Sequence, residues 1–222
     1  MKTQPAANRI QAFTRNELFV VIGVIVVLAA LLLTALSVAK RKTSRITCVD
    51  HLHQIGVCFK VWEGENGEKY PMQFALTNSE TMKLIGSGNA WVLWQTMSNM
   101  LGTPQILHCP EDVEHTETNR FTSDFSDANI SYFFSLEAAD TYPQMILDGD
   151  DNLAVDGVRV KPGILNFPTT SSLAWTKERH HGVGNFGMAD GSVMQTTSSS
   201  LSSAIIAATN GTPANTFRLV IP

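Results

Sequence analysis

The sequence predicts an α+β protein in which one long amino-terminal helix, its first half in lipid, packs its second half on a small antiparallel β-sheet head. Three observations carry that prediction. Residues Leu18–Ala39 form an apolar run interrupted only by Thr34 and Ser37, a helical apolar stripe follows it, and the remainder holds short strand-like segments between turn residues. The averages conceal this partition. With 222 residues, 44% hydrophobic, 16% charged and a net charge of −4, the composition excludes disorder across most of the chain, and a pI of 5.8 excludes a basic nucleic-acid-binding domain.

As a helix at about 1.5 Å per residue, the run Leu18–Ala39 is about 33 Å long, which matches the roughly 30 Å hydrocarbon core of a bilayer. A secretory signal peptide has a shorter apolar region, of about 7–15 residues, and a small-residue cleavage site; here the run continues into Lys40-Arg41-Lys42. Lys2, Arg9 and Arg15 precede the span and Lys40, Arg41, Lys42 and Arg45 follow it, so the positive-inside rule does not orient it. Beyond residue 45 the chain has a formal charge of −10 with its basic residues dispersed.

After the basic cluster, Ile46, Val49, Leu52, Ile55, Phe59 and Trp62 recur at helical spacing, and Gly64, Asn66-Gly67 and Pro71 supply stop and turn signals. One helix from Phe13 to Glu65 is therefore expected, about 80 Å long. Its second half needs a sheet to cover the stripe. His51 and His53 are two apart and face different sides of a helix, so they read as solvated polar positions and not as a metal pair.

The junction Gln11-Ala12-Phe13-Thr14-Arg15-Asn16-Glu17-Leu18 has a basic leader, a small residue, Phe, and a carboxylate five positions into an unbroken apolar helix. It resembles the cleavage signal of type IV pilins and type II secretion pseudopilins. The resemblance implies that a prepilin peptidase cuts between Ala12 and Phe13 and that Phe13 becomes N-methylated. It also implies that Glu17, a carboxylate costing about 2.5–3.5 kcal/mol at the centre of a bilayer, pairs with the Phe13 amino group of a neighbouring subunit. Ala12 stands where the family mostly has Gly, Arg15-Asn16 where it has an apolar pair, and Thr34 where relatives carry Pro. Thr34 keeps its backbone N–H, so the helix is expected to run through this point unbroken.

Cys48, then His51-Leu52-His53-Gln54-Ile55-Gly56, Asn66-Gly67 and Tyr70-Pro71, and later Cys109-Pro110, resemble a bacterial pseudopilin-like subgroup marked by an H-x9-DG arrangement, here His180 with Asp190-Gly191. The implied plan is a pilin-like lollipop: leader 1–12, transmembrane half 13–39, amphipathic half 40–66 and an α+β head 67–222. In the head, Trp91–Leu101 reads as a short helix stopped by Gly102-Thr103-Pro104, and Gln105–Cys109 as a strand-like run. Residues 130–153 read as strand, loop and strand. Asn185–Ala189 and Ser192–Thr196 read as a hairpin whose two-residue type I′ turn is Asp190-Gly191. A helix Leu201–Thr209 ended by Asn210-Gly211 and a closing strand Phe217–Pro222 follow, and Trp175 is expected in the core.

Candidate chemistry is sparse. Of the three cysteines, a head outside the cytoplasm favours Cys48–Cys109 over Cys58–Cys109 as a disulfide, with all three reduced as the alternative. Zinc is disfavoured, because no Cys-x2-Cys occurs and Cys109 with His108 or His115 lacks two further ligands at usual spacing. Asp148, Asp150 and Asn152 offer alternate oxygen ligands, but Leu153 and Arg159 stand where an EF-hand needs Gly and Glu. Calcium enters only because some major pseudopilins hold it in a head loop; the default is an acidic solvated turn. A His180/Asp190/Ser192 hydrolase has no nucleophile elbow to support it. The expectation is a non-enzymatic pseudopilin subunit in the bacterial inner membrane, its head extracytoplasmic. Its partners would be the peptidase, other pilins, an assembly platform and lipid, with no nucleic acid and no cofactor beyond the candidate calcium. The alternative is a membrane-anchored envelope binding module that does not polymerise.

Overall fold

The structure, a computed structural model, describes residues 13–168, 172–209 and 216–222. The chain divides into two units, Met1–Lys42 and Thr43–Pro222. The leader, with Ala12, and the expected helix stop Asn210-Gly211 lie outside the described residues. Element order is α1 (Arg15–Glu65), α2 (Pro71–Thr77), α3 (Ser79–Gly86), α4 (Trp91–Thr96), α5 (Ser98–Leu101), β1 (Tyr132–Ser135), β2 (Ile146–Asp150), β3 (Leu153–Val155), β4 (Val158–Arg159), β5 (Gly163–Pro168), β6 (Leu173–Trp175), β7 (Val183–Met188), β8 (Val193–Thr197), α6 (Ser198–Thr209) and β9 (Thr216–Ile221).

Within the first unit α1 is apolar and exposed on every side: Leu18, Val24, Leu31 and Val38 are each more than half exposed. It is long and apolar enough to cross a membrane, and none of its most apolar stretch is buried. Its start is a capping box. The Thr14 hydroxyl accepts the Glu17 N–H at 3.3 Å while Glu17 Oε2 accepts the Thr14 N–H at 2.8 Å, which satisfies donors that the first helical turn leaves open. Thr34 does leave α1 unbroken, and its hydroxyl donates back to Leu31 O at 2.8 Å.

The second unit is built on a six-stranded antiparallel sheet in the order β5-β9-β1-β2-β7-β8, with a separate three-stranded sheet β4-β3-β6. The register pairs Tyr132 with Asp150 and Phe134 with Asp148, so these four side chains share one face of β1 and β2, and Phe133 and Gly149 share the other. Phe133 and Phe186 fill the space over Gly149, where an added Cβ would lie 2.7–2.9 Å from the Phe133 ring and 2.8 Å from Phe186 Cβ. The carboxyl half of α1 covers the face of Tyr132 and Phe134. Its buried residues are Ser44, Cys48, Leu52, Ile55, Gly56, Phe59 and Glu63. The expected stripe holds at Leu52, Ile55 and Phe59, whereas Ile46 is 64% exposed and the small residues Cys48 and Gly56 join the buried face. Gly67, with φ 67°, ends the helix as expected, and Glu63 O accepts from both Asn66 N and Glu68 N.

Three local expectations are corrected. Trp91–Leu101 is two short helices divided at Met97, and the first is capped from afar, Asp127 accepting the Ala90 and Trp91 N–H groups at 3.2 and 2.6 Å. Pro104–Leu107 is a 3-10 turn and not a strand. The hairpin turn has three residues, Ala189, Asp190 and Gly191: Gly191 N donates to Met188 O, Met188 N donates to Ser192 O, and only Gly191 has positive φ, at 85°. That is a type I turn closed by a glycine bulge in place of a two-residue type I′ turn.

Candidate functional site

Three pairs of adjacent polar residues enter the head interior: Glu111-Asp112, Asp150-Asp151 and Arg179-His180. Each pair sends one member into each of two clusters.

The first cluster joins Cys48 from α1, Cys109 after the 3-10 turn, Asp150 at the end of β2 and His180 before β7. One potential ligand atom from each lies within 4.8 Å of all the others, and all four residues are buried. Cys109 Sγ is 3.3 Å from His180 Nε2, and Nε2 is 3.8 Å from Asp150 Oδ2. Glu111 Oε2 lies 3.0 Å from His180 Nδ1 and accepts the His180 backbone N–H at 3.0 Å. Asp150 Oδ2 accepts from Asn185 N at 2.8 Å and Nδ2 at 3.0 Å, while its buried Oδ1 has no hydrogen-bond partner among the described residues. The backbone is held in an uncommon state here. His180 and His181 have φ of 50° and 57° and are followed by Gly182 at 81°, a left-handed run that costs of order 1–2 kcal/mol per non-glycine residue.

The second cluster is an ion-pair network. Arg179, 3% exposed, contacts Asp112 through Nη2, Asp151 Oδ1 at 2.5 Å and Ser131 O at 2.8 Å through Nη1. His115 Nδ1 is 2.7 Å from Asp112 Oδ2. Ser131 connects the clusters, its hydroxyl accepting the Cys109 N–H at 2.9 Å and donating to Asp112 Oδ2 at 2.6 Å. Burial opposes a charged His115, but its hydrogen bond to Asp112 and the charge of Asp151 outweigh that and raise its pKa above 6.5.

The sequence-derived sites fall as follows. Cys48, Cys58 and Cys109 are all free thiols, so the expected Cys48–Cys109 pair is adjacent but not bonded. The calcium triad does not converge. Asp148 and Asp150 are strand residues with no exposure, and the Asn152 amide is turned to the carbonyls of Thr176 and Arg179, both at 3.3 Å. Nor is this a solvated acidic turn. His180 and Asp190 lie before and after β7: His180 is buried in the first cluster, while Asp190 is exposed and caps its own turn by accepting from Ser192 N and Oγ. Gly191 packs where a Cβ on Gly56 would lie 3.4 Å from its Cα, and its carbonyl accepts from His53 Nδ1 at 3.0 Å. His51 Nδ1 donates to His108 O at 3.1 Å, so neither helix histidine is merely solvated. The H-x9-DG spacing thus measures one strand, whose two ends meet α1 at Cys48 and at Gly56.

Asp148 lies against Gly187, where an added Cβ would fall 2.2 Å from its Oδ1, and burial pushes its carboxyl well above the usual range. A carboxyl raised on folding contributes stability that is fully present below about 3.8 and lost as pH rises through the folded value. Asp148→Asn removes that loss. Urea midpoints are expected to move in favour of the variant as pH rises from about 4 to about 8; a pH-independent difference rejects the assignment.

Compared with family models, curated proteins and solved structures, the chain matches none.

Proposed function

We propose that this chain is a prepilin-type pseudopilin subunit that assembles through its amino-terminal helix into a type II secretion or type IV pilus-like filament in the bacterial envelope. The observation that carries the reading is α1 within the first unit: an apolar surface exposed on every side, beginning two residues after Phe13 with a Thr14/Glu17 capping box. Such a surface needs lipid or the helices of other copies to cover it. In this reading the prepilin peptidase cuts between Ala12 and Phe13 and Phe13 is N-methylated. The helix is held in the inner membrane with the head on the extracytoplasmic side, and an assembly platform extracts it into the filament. The work is packing and presentation, not catalysis.

The role of Glu17 is separable from its capping. Gln retains the reciprocal hydrogen bonds of a capping box and loses the charge. Glu17→Gln is therefore expected to leave the helix intact and abolish recovery of the chain in sheared filaments or crosslinked multimers, whereas a helix-cap role alone predicts normal assembly. Mass spectrometry of the mature chain is expected to find N-methyl-Phe13 at its start. Another amino terminus, in a host with an active prepilin peptidase, rejects the processing step. Unprocessed monomers indifferent to Glu17→Gln point to the membrane-anchored binding module instead.

A further inference from the structure

We propose that Cys48, Cys109, His180 and Asp150 bind one structural zinc ion inside the head. A tetrahedral ion with bonds of about 2.3 Å to sulphur and about 2.0 Å to nitrogen or oxygen holds its ligand atoms about 3.3–3.8 Å apart. The cluster already has this scale, with 3.3 Å from Cys109 Sγ to His180 Nε2, 3.8 Å from Nε2 to Asp150 Oδ2, and all four atoms within 4.8 Å. Two sulphurs, an imidazole and a carboxylate form a borderline-soft donor set that suits zinc and fits poorly with calcium or magnesium.

The surroundings are those of a ligated site. Glu111 Oε2 accepts the His180 backbone N–H and lies 3.0 Å from Nδ1, with Nε2 toward the sulphurs, which places an acidic neighbour where the carboxylate–histidine–metal arrangement needs one. Asn185 orients Asp150 through two hydrogen bonds to Oδ2. The Asp150 carboxylate, fully buried, keeps Oδ1 without a hydrogen-bond partner among the described residues, an arrangement that is costly for a protein group alone and is relieved by a cation. On binding, both thiols release their protons to solvent. The ion with two thiolates and one carboxylate carries a net charge near −1, and it sits in the field of the buried Arg179 guanidinium, which acts on Asp150 and Cys109 while its ion pairs are with Asp112 and Asp151. All four positions are filled by protein atoms, so the site is closed and structural. Its ligands come from α1, the segment after the 3-10 turn, β2 and the left-handed run before β7, so the ion fastens the helix to the sheet.

The test uses the full chain in detergent, loaded with zinc alone and dialysed against a weak chelator. About one zinc ion per chain is expected to remain. Cys109→Ser and His180→Ala are expected to lose it, and Cys58→Ser, which removes the cysteine outside the cluster, to keep it. Because ligand variants risk misfolding, two further measurements stand apart from them. Cobalt(II) in the unmutated chain is expected to give the intense ligand-field and thiolate-to-cobalt absorption of a tetrahedral sulphur-ligated ion. Glu111→Gln, which keeps every ligand, is expected to weaken zinc about 10–100-fold. The proposal is overturned by less than about half an equivalent of zinc in the unmutated chain, by a mass two hydrogens low that marks a Cys48–Cys109 disulfide, or by zinc retained in a folded Cys109→Ser chain.

Discussion

Arg179→Met is expected to lower the unfolding free energy of the head by about 3–5 kcal/mol, because it leaves two buried carboxylates without their counter-charge. Asp112 and Asp151 have side chains 1% and 5% exposed, and Arg179 is the guanidinium between them. Asp112 keeps Ser131, His115 and the Glu114 N–H as partners, whereas Asp151 keeps only the distant His115 Nε2 at 3.9 Å among the ion pairs of the described residues. The same change at Arg159, 42% exposed and paired with Glu114 and Glu178, is expected to cost less than about 1 kcal/mol. All four tryptophans lie in the unit Thr43–Pro222, so their fluorescence during urea unfolding of the full chain in detergent reports the head. Equal losses for the two variants reject the account.

The pH dependence gives that variant a signature. Burial favours a neutral Asp112, but His115, Arg179 and Ser131 outweigh it and hold its carboxyl well below the usual range. Its contribution is therefore present above about 3.8 and lost as pH falls through the folded value. His115 runs the other way, its contribution present below about 6.5 and lost as pH rises through its raised value. Burial pushes Asp151 up to about 6 even with Arg179 beside it. Without Arg179 it rises further and protonates more readily. The deficit of Arg179→Met is thus expected to be smaller near pH 5 than near pH 8.

The broad architecture was legible in the sequence because its signals are local. A long apolar run and a 3.6-residue stripe announce one long helix, and short apolar segments between turn residues announce the sheet. The place of Cys48 and Gly56 in the buried stripe, and the exposure of Ile46, were not legible from apolar residues alone. Cys48 and Gly56 are chosen for closeness to the sheet, a tertiary property, whereas Ile46 is apolar and exposed. The turn at Asp190-Gly191 was placed correctly but mistyped, since a Gly at the left-handed position suits both turn types and only the backbone bonds of Met188 distinguish them.

The buried clusters escaped for a different reason. Zinc motifs are sought as short spacings, and Cys48, Cys109, Asp150 and His180 have none; three-dimensional folding alone gathers them. Two signals were nevertheless present. Thr14-Arg15-Asn16-Glu17 has the S/T-x-x-E form of a capping box, which gives Glu17 an intramolecular role beside the one implied by resemblance. The adjacent polar pairs Glu111-Asp112, Asp150-Asp151 and Arg179-His180 are the other, each dividing its members between the two clusters.

Trp94→Ala is expected to cost about 3–5 kcal/mol, the scale of deleting a large buried aromatic whose space the neighbours cannot close. Trp94 has no exposed surface and stands between the two layers of the head. Its ring meets Phe59 of α1 edge-on, with centroids 5.9 Å apart at 68°, and Phe134 of β1 at 5.6 Å and 90°. Removing it takes an aromatic contact from each layer at once, on top of the lost burial. Its indole Nε1 is buried without a hydrogen-bond partner among the described residues, which itself costs about 1–3 kcal/mol. Trp94→Phe deletes that donor while keeping an aromatic between Phe59 and Phe134. The Phe variant is therefore expected to retain most of the stability that the Ala variant loses, and urea unfolding of the pair separates packing from polar cost. A loss below about 1 kcal/mol in Trp94→Ala, or a Phe variant as unstable as the Ala variant, contradicts the placement of Trp94 as the side chain that locks α1 to the sheet.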